Sequence, residues 1–436
     1  MMRSRKKLYF LLVVLAVGGL VACKFQEGVS RVIHLTLPFF SKTPYVTIVG
    51  PVEMADGIAR QTAELAEVLV KDFDVNIYAR HVVRKDLSRT VRKLVDKRDR
   101  RLGKVVIFEE SLWDRGLDIG RILETVSHDG QLRIAYSMLE STRIPTEWVM
   151  QLNLYYDAVA VPDAFLIEAY QKSGVKIPVF ELPLGLDLSS FLQAPLKKEK
   201  NPVMVFANFS TALDRKNQIT LIRAFAKVLG NVEDASLHIN CRDGDIEVKE
   251  AIYAELVKQG CSNIYFSECK LRKDAYLKLF QSIDCYVSLS KGEGFSIQPR
   301  ESMALGIPTI VSNNTGQATI CKSQLVKSVE SAILEPARYF KRNIISGHRF
   351  NCEVDDAAAA IYDVYQNYES YLQKGQAARA WVASYDYSNE HLQKLYKTLV
   401  APKKVLLGNE NRIEEDCLIT SSQALYEKYQ KLSVHE

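Results

Sequence analysis

A glycine-rich run lies in the second half of the chain: Gly292-Glu293-Gly294-Phe295-Ser296-Ile297-Gln298-Pro299-Arg300-Glu301-Ser302-Met303-Ala304-Leu305-Gly306. It follows an apolar run at residues 285–289 that predicts a strand, and its proline and terminal glycine are typical of the start and end of a helix. The early glycines allow the backbone to approach a ligand closely, and a helix start presents free N–H groups to anions. The run therefore predicts a phosphate-binding loop between a strand and a helix.

Two acidic residues of this run, Glu293 and Glu301, are eight positions apart, one in the loop and one in the first helical turn. Both are expected to face the same pocket. Their carboxylates accept hydrogen bonds, which suits the vicinal hydroxyls of a sugar and of a ribose. Taken alone, a solvated loop acid and a first-turn acid that complements the helix dipole are the simpler explanations.

Around this run, from about Tyr45, the chain alternates short β-branched segments with longer helical patterns. Such alternation predicts an α/β fold with parallel sheets and crossover helices. The strands predicted for the two halves are 45–49, 75–78, 105–108, 132–136, 158–161 and 179–181, and then 203–206, 237–240, 264–266, 285–289 and 309–311.

The length and composition of the chain predict two domains. Its 436 residues exceed what one core usually organises, and 47% hydrophobic with 25% charged residues is an ordinary globular composition. We predict doubly wound, Rossmann-like domains at 42–188 and 202–380, facing a cleft at the carboxyl ends of their strands. A charged linker at 189–201 joins them, a helix at 381–400 follows, and the tail 401–436 has no assigned role.

The run from Glu293 to Ser312 resembles the Glu-x7-Glu donor motif of retaining GT-B enzymes, glycosyltransferase family 4. The resemblance implies transfer of a sugar from a nucleotide sugar to an acceptor, with retention of anomeric configuration. It implies that Glu293 lies by the transferred sugar and that Glu301 holds the nucleotide ribose. It also implies that the diphosphate meets the backbone N–H groups of Gly294, Phe295, Ser296 and Ile297.

Residues Val205 to Asn217 resemble the strand and Arg-Lys-Asn loop of the same family, whose lysine neutralises the donor diphosphate. Lys216 is the matching candidate, because a cation there would stabilise the leaving nucleotide; a surface lysine is the alternative. The common form of this loop has an arginine about five residues earlier, where this chain has Thr211, and Arg215 is expected to compensate. Some relatives have an acid or amide with a serine at the strand end, which makes Asn208 a donor-binding candidate.

In the first half, Asp56-Gly57-Ile58-Ala59 resembles the family's Gly-Gly-Ile-Ala loop, which faces donor phosphate and acceptor. Gly57 is the matching position, with a plain helix start as the alternative. Glu140 belongs to a segment that resembles the relatives' Glu-x-x-x-Ile-Pro loop at the cleft, although a structural acid explains it equally well. Residues 183–187 resemble the family's crossover between domains, which we interpret as a hinge without chemistry.

The first 23 residues do not belong to the predicted fold. Basic residues at positions 3–7 precede an apolar run, Leu8–Ala22, which is shorter than the roughly 20 residues of a spanning helix. Leu20-Val21-Ala22-Cys23 resembles a bacterial lipobox, in which Cys23 would be lipidated after cleavage. An uncleaved signal anchor and a shallow anchor that leaves the body in the cytosol remain open.

The number and spacing of the cysteines bear on whether the protein lies in a reducing or an oxidising compartment. Seven cysteines other than Cys23 lie beyond residue 240, and this odd number without a Cys-x-x-Cys pair predicts buried free thiols. Free thiols and nucleotide-sugar chemistry favour the cytosol, whereas the signal-like segment favours export. We therefore expect membrane association through the N-terminus, with the membrane face left open.

The charge pattern limits the kinds of binding partner that the sequence predicts. A net charge of +5 does not indicate nucleic acid. Residues 80–104 carry eleven basic and three acidic residues with apolar positions in a helical stripe, which predicts a basic helix facing either solvent or anionic lipid. The histidines show no ligand spacing, and Asp243-Gly244-Asp245 is typical of a turn, so neither a metal nor a cofactor is predicted.

The sequence thus predicts a glycosyltransferase whose acceptor is a glycan or a lipid-linked or envelope glycan. Two alternatives remain. One is another GT-B reaction, such as sugar epimerisation or glycan phosphorolysis, and the other is a non-catalytic, membrane-tethered glycan-binding protein.

Overall fold

The computed structural model describes residues 45–54, 57–97, 101–109, 112, 131–339 and 344–400. The predicted signal or anchor segment with Cys23 and the tail 401–436 lie outside the described residues. Within the described part, none of the helices has the length and apolar character needed to cross a bilayer.

The first half of the described chain forms a six-stranded parallel sheet in the order β2-β1-β3-β4-β5-β6. Its strands are β1 (Val46–Val52), β2 (Val75–Val82), β3 (Val105–Phe108), β4 (Leu132–Tyr136), β5 (Ala158–Val161) and β6 (Val179–Glu181). The helices are α1 (Gly57–Leu69), α2 (Arg89–Asp96), α3 (Thr146–Tyr155) and α4 (Ala164–Ser173). β1, β3 and β5 are almost wholly buried, as expected for strands covered on both faces.

The second half forms another six-stranded parallel sheet, in the order β12-β11-β10-β7-β8-β9. Its strands are β7 (Met204–Ala212), β8 (Ala235–Gly244), β9 (Ile264–Ser267), β10 (Cys285–Ser288), β11 (Thr309–Ser312) and β12 (Lys327–Val329). The helices from the crossover onwards are α5 (Ser189–Gln193), α6 (Gln218–Leu229), α7 (Ile246–Gln259), α8 (Lys273–Gln281), α9 (Ile297–Ala304) and α10 (Thr315–Lys322). This order reverses direction between β7 and β10, which is the switch point of a doubly wound sheet.

The predicted α/β class is confirmed, and every predicted strand is found. A hairpin of β13 (Ile333–Tyr339) and β14 (Ile344–Asn351) was not predicted. Pro336 lies inside β13, and proline in a short run argues against a strand unless the strand lies at an edge. The two strands pair only with each other, which accommodates that proline.

The prediction of one basic helix across residues 80–104 was wrong. Residues 80–82 belong to β2, which stays paired with β1 up to Val82, and Asp86 has a positive φ of 64°. The Ser88 side chain then accepts a hydrogen bond from the N–H of Val91 and begins the eight-residue helix α2. Of the predicted stripe, Leu87, Val91 and Leu94 are buried in the core.

The segment after the second sheet returns to the first sheet. It comprises α11 (Val354–Gln366), α12 (Tyr368–Leu372), α13 (Gly375–Val382) and α14 (Glu390–Val400), so the helix predicted from 381 begins at Glu390 instead. In α14, the hydroxyl of Tyr396 accepts a hydrogen bond from Gly185 N–H and donates to Pro183 O. The crossover at residues 183–187 is therefore fastened to the C-terminal helix.

Six cysteines lie within the described residues, and all are unpaired thiols, as predicted, but Cys261 is half-buried and Cys269 is exposed. Cys241, Cys285, Cys321 and Cys352 are buried. Burial raises the pKa of Cys241 to about 12 and that of Cys352 to about 11. These thiols are therefore neutral side chains packed in the core rather than reactive thiolates.

Candidate functional site

Two loops meet at the switch point of the second sheet. One follows β7 and carries Arg215 and Lys216, and the other follows β10 and carries Glu293. β7 and β10 are hydrogen-bonded neighbours, so their carboxyl ends bring together residues that are 77 positions apart. The Lys291 N–H donates to Arg215 O at 2.7 Å, which joins the two loops directly.

The Glu293 carboxylate is buried between two cations. Lys216 Nζ lies 2.6 Å from its Oε1, and Arg215 Nη1 lies 3.0 Å from its Oε2. Burial alone would raise the pKa of Glu293, but the charges of Lys216 and Arg215 outweigh it and lower that pKa to about 2. Glu293 is therefore an anion at any physiological pH.

The same ion cluster reaches the first half of the chain through Glu140. Arg215 Nη2 lies 3.0 Å from Glu140 Oε1, while its Nη1 also donates to Gly292 O at 3.1 Å. Four sequence-predicted residues, from two loops of the second half and one loop of the first, thus form one network: Glu140, Arg215, Lys216 and Glu293. Arg215, expected to compensate for Thr211 at the phosphates, is held between two carboxylates.

Gly292 packs directly against the backbone of Glu140 in the first half of the chain. A Cβ atom at this position would lie 2.3 Å from the backbone oxygen of Glu140, and Gly294 would similarly meet the side chain of Met138 at 3.1 Å. Here the glycines are needed for the contact between loops rather than for their own backbone angles.

We expect Gly292→Ala to push the loop of Glu140 away from the Glu293 loop. Overpacking of this kind typically costs about 1–3 kcal/mol of stability. Thermal unfolding and sugar-transfer assays should both show a loss. Gly260→Ala, where a Cβ meets open space and only the φ of 63° causes strain, should lower stability but leave sugar transfer unchanged. Wild-type stability and sugar transfer in Gly292→Ala would argue against the close contact.

The start of α9 is open to an anion. Ser296, the residue before the helix, has φ 72° and ψ 81°, and its side chain makes no capping hydrogen bond. Instead its hydroxyl accepts a hydrogen bond from Gln317 Nε2 at 3.1 Å. The first-turn N–H groups are therefore left without a side-chain cap, which is the arrangement that binds phosphate groups.

Phe295 and Arg300 pack together at the turn that precedes α9. Phe295 is buried, and the guanidinium of Arg300 lies over its ring with 3.7 Å to the centroid. Arg300 Nη1 also donates to the backbone oxygens of Phe295 and Ser296. The side chain of Arg300 thus fixes the carbonyl groups of both residues at the start of α9.

Glu301 lies in the next turn of α9 and is 1% exposed. Its Oε1 accepts a hydrogen bond from Arg60 Nη1 at 2.9 Å, and its Oε2 accepts one from the Tyr276 hydroxyl at 2.7 Å. Burial and the nearby Glu301 raise the pKa of Tyr276 well above its ordinary value, so Tyr276 stays a hydrogen-bond donor. Arg60 and Tyr276 were not identified from the sequence.

A cavity of about 380 Å³ lies between the two halves. Of the sequence-predicted residues, Gly57, Ile297 and Glu301 line it, and an added Cβ on Gly57 would lie 3.8 Å from Ile297 Cδ1. The cavity is further lined by basic residues that the sequence reasoning missed: Arg60, Lys85, Arg242, Lys270 and Lys273. Lys270 and Lys273 form ion pairs with Glu53 and Asp187, which also line it.

Asn208 lies in β7, where its polar atoms are used within the sheet. Its Nδ2 donates to Val287 O at 2.7 Å, and its Oδ1 accepts from the hydroxyl of Ser210 at 2.7 Å. Phe209 and Ser210, not Asn208, line the cavity. Asn208 therefore braces β7 against β10 beside the candidate site.

The Asp243-Gly244-Asp245 segment lies at the end of β8 and the start of α7 and is not a separate turn. Gly244 has φ 139°, and a Cβ there would clash with the backbone of Ala212. Among the residues the structure describes, no group of His, Cys, Asp and Glu side chains is arranged to hold a metal ion.

Two parallel α/β sheets that face a shared cavity, with a phosphate-type helix start on one side, define the GT-B fold. Residues 190–332, which include the second sheet, match the family model described as Glycosyl transferases group 1. A search of curated protein sequences finds no significant match.

Solved structures agree on the fold. Sucrose-phosphate synthase from Thermosynechococcus elongatus superposes with a TM-score of 0.60 at 14% identity, over 84% of this chain and 100% of that one. HepE from Anabaena, in complex with UDP-glucose, has a TM-score of 0.59 at 13% identity, over 83% and 100%. A variant of TarM from S. aureus, in complex with fondaparinux, alpha-GlcNAc-glycerol and UDP, has a TM-score of 0.52 at 13% identity over 68% of this chain. This chain spans about half of TarM's length, 55%.

Proposed function

We propose that this protein transfers a sugar from a nucleotide-sugar donor to an acceptor, and that the cavity between the two sheets holds the nucleotide. The observation that carries the proposal is the position of Glu301 on the cavity wall, one turn after the uncapped start of α9. An anion-binding helix start next to a carboxylate suits a diphosphate next to a ribose. The family match of residues 190–332 and the UDP-containing complexes of HepE and TarM support a nucleotide donor.

In this proposal the diphosphate lies at the N–H groups of residues 294–297, with Lys216 as its cation. An ammonium group has three donors, so Lys216 can bind Glu293 and a phosphate oxygen together. When the bond between the anomeric carbon and the diphosphate breaks, negative charge grows on the leaving phosphate. A preorganised helix start and a buried lysine stabilise that charge without a metal.

Glu293 is proposed to face the transferred sugar. As a buried anion it can accept hydrogen bonds from sugar hydroxyls and stabilise positive charge at the anomeric carbon. We further propose a retaining, hexosyl-transferring enzyme of the family 4 type, on the resemblance of residues 293–312. The acceptor is proposed to approach from the side of Gly57 and Glu140.

The acceptor is proposed to be a glycan or a lipid-linked glycan, because the basic residues at positions 3–7 and the apolar run 8–22 are typical of a segment that attaches a protein to a membrane. Lipidation of Cys23 is part of this proposal, and metabolic labelling with a lipid analogue tests it. The absence of label on a Cys23-containing protein, with label on a known lipoprotein in the same cells, would reject lipidation.

Binding of nucleoside diphosphates tests the donor site. We expect Glu301→Gln to weaken UDP binding in isothermal titration roughly 10- to 100-fold, the cost of losing charge-assisted hydrogen bonds. Glu168→Gln is the matched control, because Glu168 lies on the exposed face of α4 and pairs with Lys172 in its own helix. If neither UDP nor other nucleoside diphosphates bind the wild type, and no sugar nucleotide releases its diphosphate, the enzyme proposal fails.

A further inference from the structure

Arg60 joins the two halves of the molecule at the nucleotide cavity. It belongs to α1, beside the first sheet, and reaches Glu301 in α9 of the second half, 241 positions away. Its guanidinium makes three separate contacts: Nε to Glu64 Oε1 at 2.7 Å, Nη1 to Glu301 Oε1 at 2.9 Å, and Nη2 to Asp187 O at 3.3 Å. The side chain is 15% exposed and lines the cavity.

Glu64 holds Arg60 in this position. Its Oε1 accepts both from Arg60 and from the N–H of Asp187 at 2.8 Å, so the helix α1 and the crossover share one buried carboxylate. Glu64, Arg60 and Glu301 together form a chain of alternating charge that runs from the first half to the cavity wall. Two anions flank a single guanidinium, so neither carboxylate is buried without a cation.

Both oxygens of Glu301 already have one donor, Arg60 on Oε1 and Tyr276 on Oε2. A carboxylate oxygen has two acceptor positions. One position per oxygen therefore remains, and the two existing donors fix the direction in which those positions point. Two vicinal hydroxyls are the group that such a pair of acceptors fits.

We propose that Arg60 is a positioning residue for ribose recognition, which aims the Glu301 carboxylate from the opposite half of the molecule and so makes nucleotide affinity depend on the apposition of the two halves. This inference rests on the proposed function. It assigns to α1 a part in donor binding that neither the glycine-rich run nor the lysine loop supplies.

The test is a double-substitution cycle read with two nucleotides. Arg60→Ala, Glu301→Gln and the combined variant are titrated with UDP and with 2′-deoxy-UDP. Arg60→Ala is expected to weaken UDP binding about tenfold, with less than about a twofold further loss when added to Glu301→Gln. Its effect on 2′-deoxy-UDP is expected to be several times smaller, because one hydroxyl that Glu301 would accept is missing.

A conservative variant distinguishes positioning from a general structural role. Arg60→Lys keeps the charge, but its compact ammonium cannot span the separated acceptors that the planar guanidinium reaches, so it should recover only part of the UDP affinity. In steady-state assays Arg60→Ala should raise the donor KM with little change in kcat, since it alters donor binding rather than the reacting groups.

Two outcomes overturn the inference, and they differ in meaning. If the wild type binds UDP but Arg60→Ala has no effect, or the same effect on both nucleotides and in both backgrounds, Arg60 does not act through Glu301. If the wild type binds no nucleoside diphosphate, this inference and the proposed function fail together.

Discussion

Replacing Lys216 with alanine is expected to lower kcat for sugar transfer about 10²- to 10³-fold, the usual loss when one preorganised stabiliser of developing charge is removed. The size of the effect follows from the surroundings of the ammonium group. Lys216 is almost enclosed, with 13% of its side chain exposed, so water cannot replace it at the leaving phosphate. Arg215 is the nearest other cation, and it is held by Glu140 and Glu293.

The measurement is the rate of nucleoside diphosphate release at saturating donor. Lys227→Ala is the matched control, because Lys227 pairs with Asp355 on the surface of α6 and is 52% exposed. Lys216→Arg keeps a cation but changes its shape, and should recover part of the rate. Lys216→Ala with the kcat of the wild type would exclude Lys216 from leaving-group stabilisation.

The part of the site that could be predicted is the part that local sequence motifs mark. The loops after β7 and β10 each resemble a part of the family's donor site, so both were expected at the donor diphosphate. Parallel strands end at one edge of a sheet, which allows two such loops to meet. They do meet, and Lys216 lies against Glu293. The helix signals around Pro299 and Gly306 likewise placed Glu301 in α9, although the helix begins two residues earlier, at Ile297.

The contacts between the two halves could not be predicted, because no periodicity or spacing encodes them. Arg60 resembled any first-turn arginine of a helix, and Tyr276 resembled a surface residue of a short amphipathic helix. Each becomes part of the site only when the two sheets face each other and Glu301 is buried between them. Asp187 was interpreted as a hinge residue, yet it lines the cavity and pairs with Lys273.

The hairpin β13–β14 also could not be predicted from the sequence. Pro336 interrupts β13, and Ala337 is the one buried residue of that strand, so its sequence lacks the pattern of a core strand. In the folded chain the hairpin contacts both halves: the His348 N–H donates to Thr142 Oγ1 at 3.0 Å, and Glu335 pairs with Lys291 at 2.8 Å. The hairpin therefore ties the loop of Glu140 to the loop of Glu293.

Glu293→Gln is expected to destabilise the protein by about 3 kcal/mol at pH 7, the cost of leaving a buried cation without its partner. Arg215 still has Glu140, but Glu293 is the ion-pair partner of Lys216. Burial lowers the pKa of Lys216 already in the wild type, against the attraction of Glu293. Without that attraction the pKa should fall further.

The lowered pKa of Lys216 determines how the loss of stability in Glu293→Gln depends on pH. Between the lowered pKa of Lys216 in the folded protein and its ordinary value near 10.5, the unfolded chain binds more protons than the folded one, so stability rises with pH. The deficit of Glu293→Gln relative to the wild type should therefore shrink from pH 7 to pH 10 in thermal unfolding at a fixed heating rate. Adding Lys216→Met to Glu293→Gln removes the buried charge. The double variant should therefore recover part of the stability and lose this pH dependence. If the stability difference between Glu293→Gln and the wild type stays constant across this pH range, with or without Lys216, the buried ammonium is not the cause of the destabilisation.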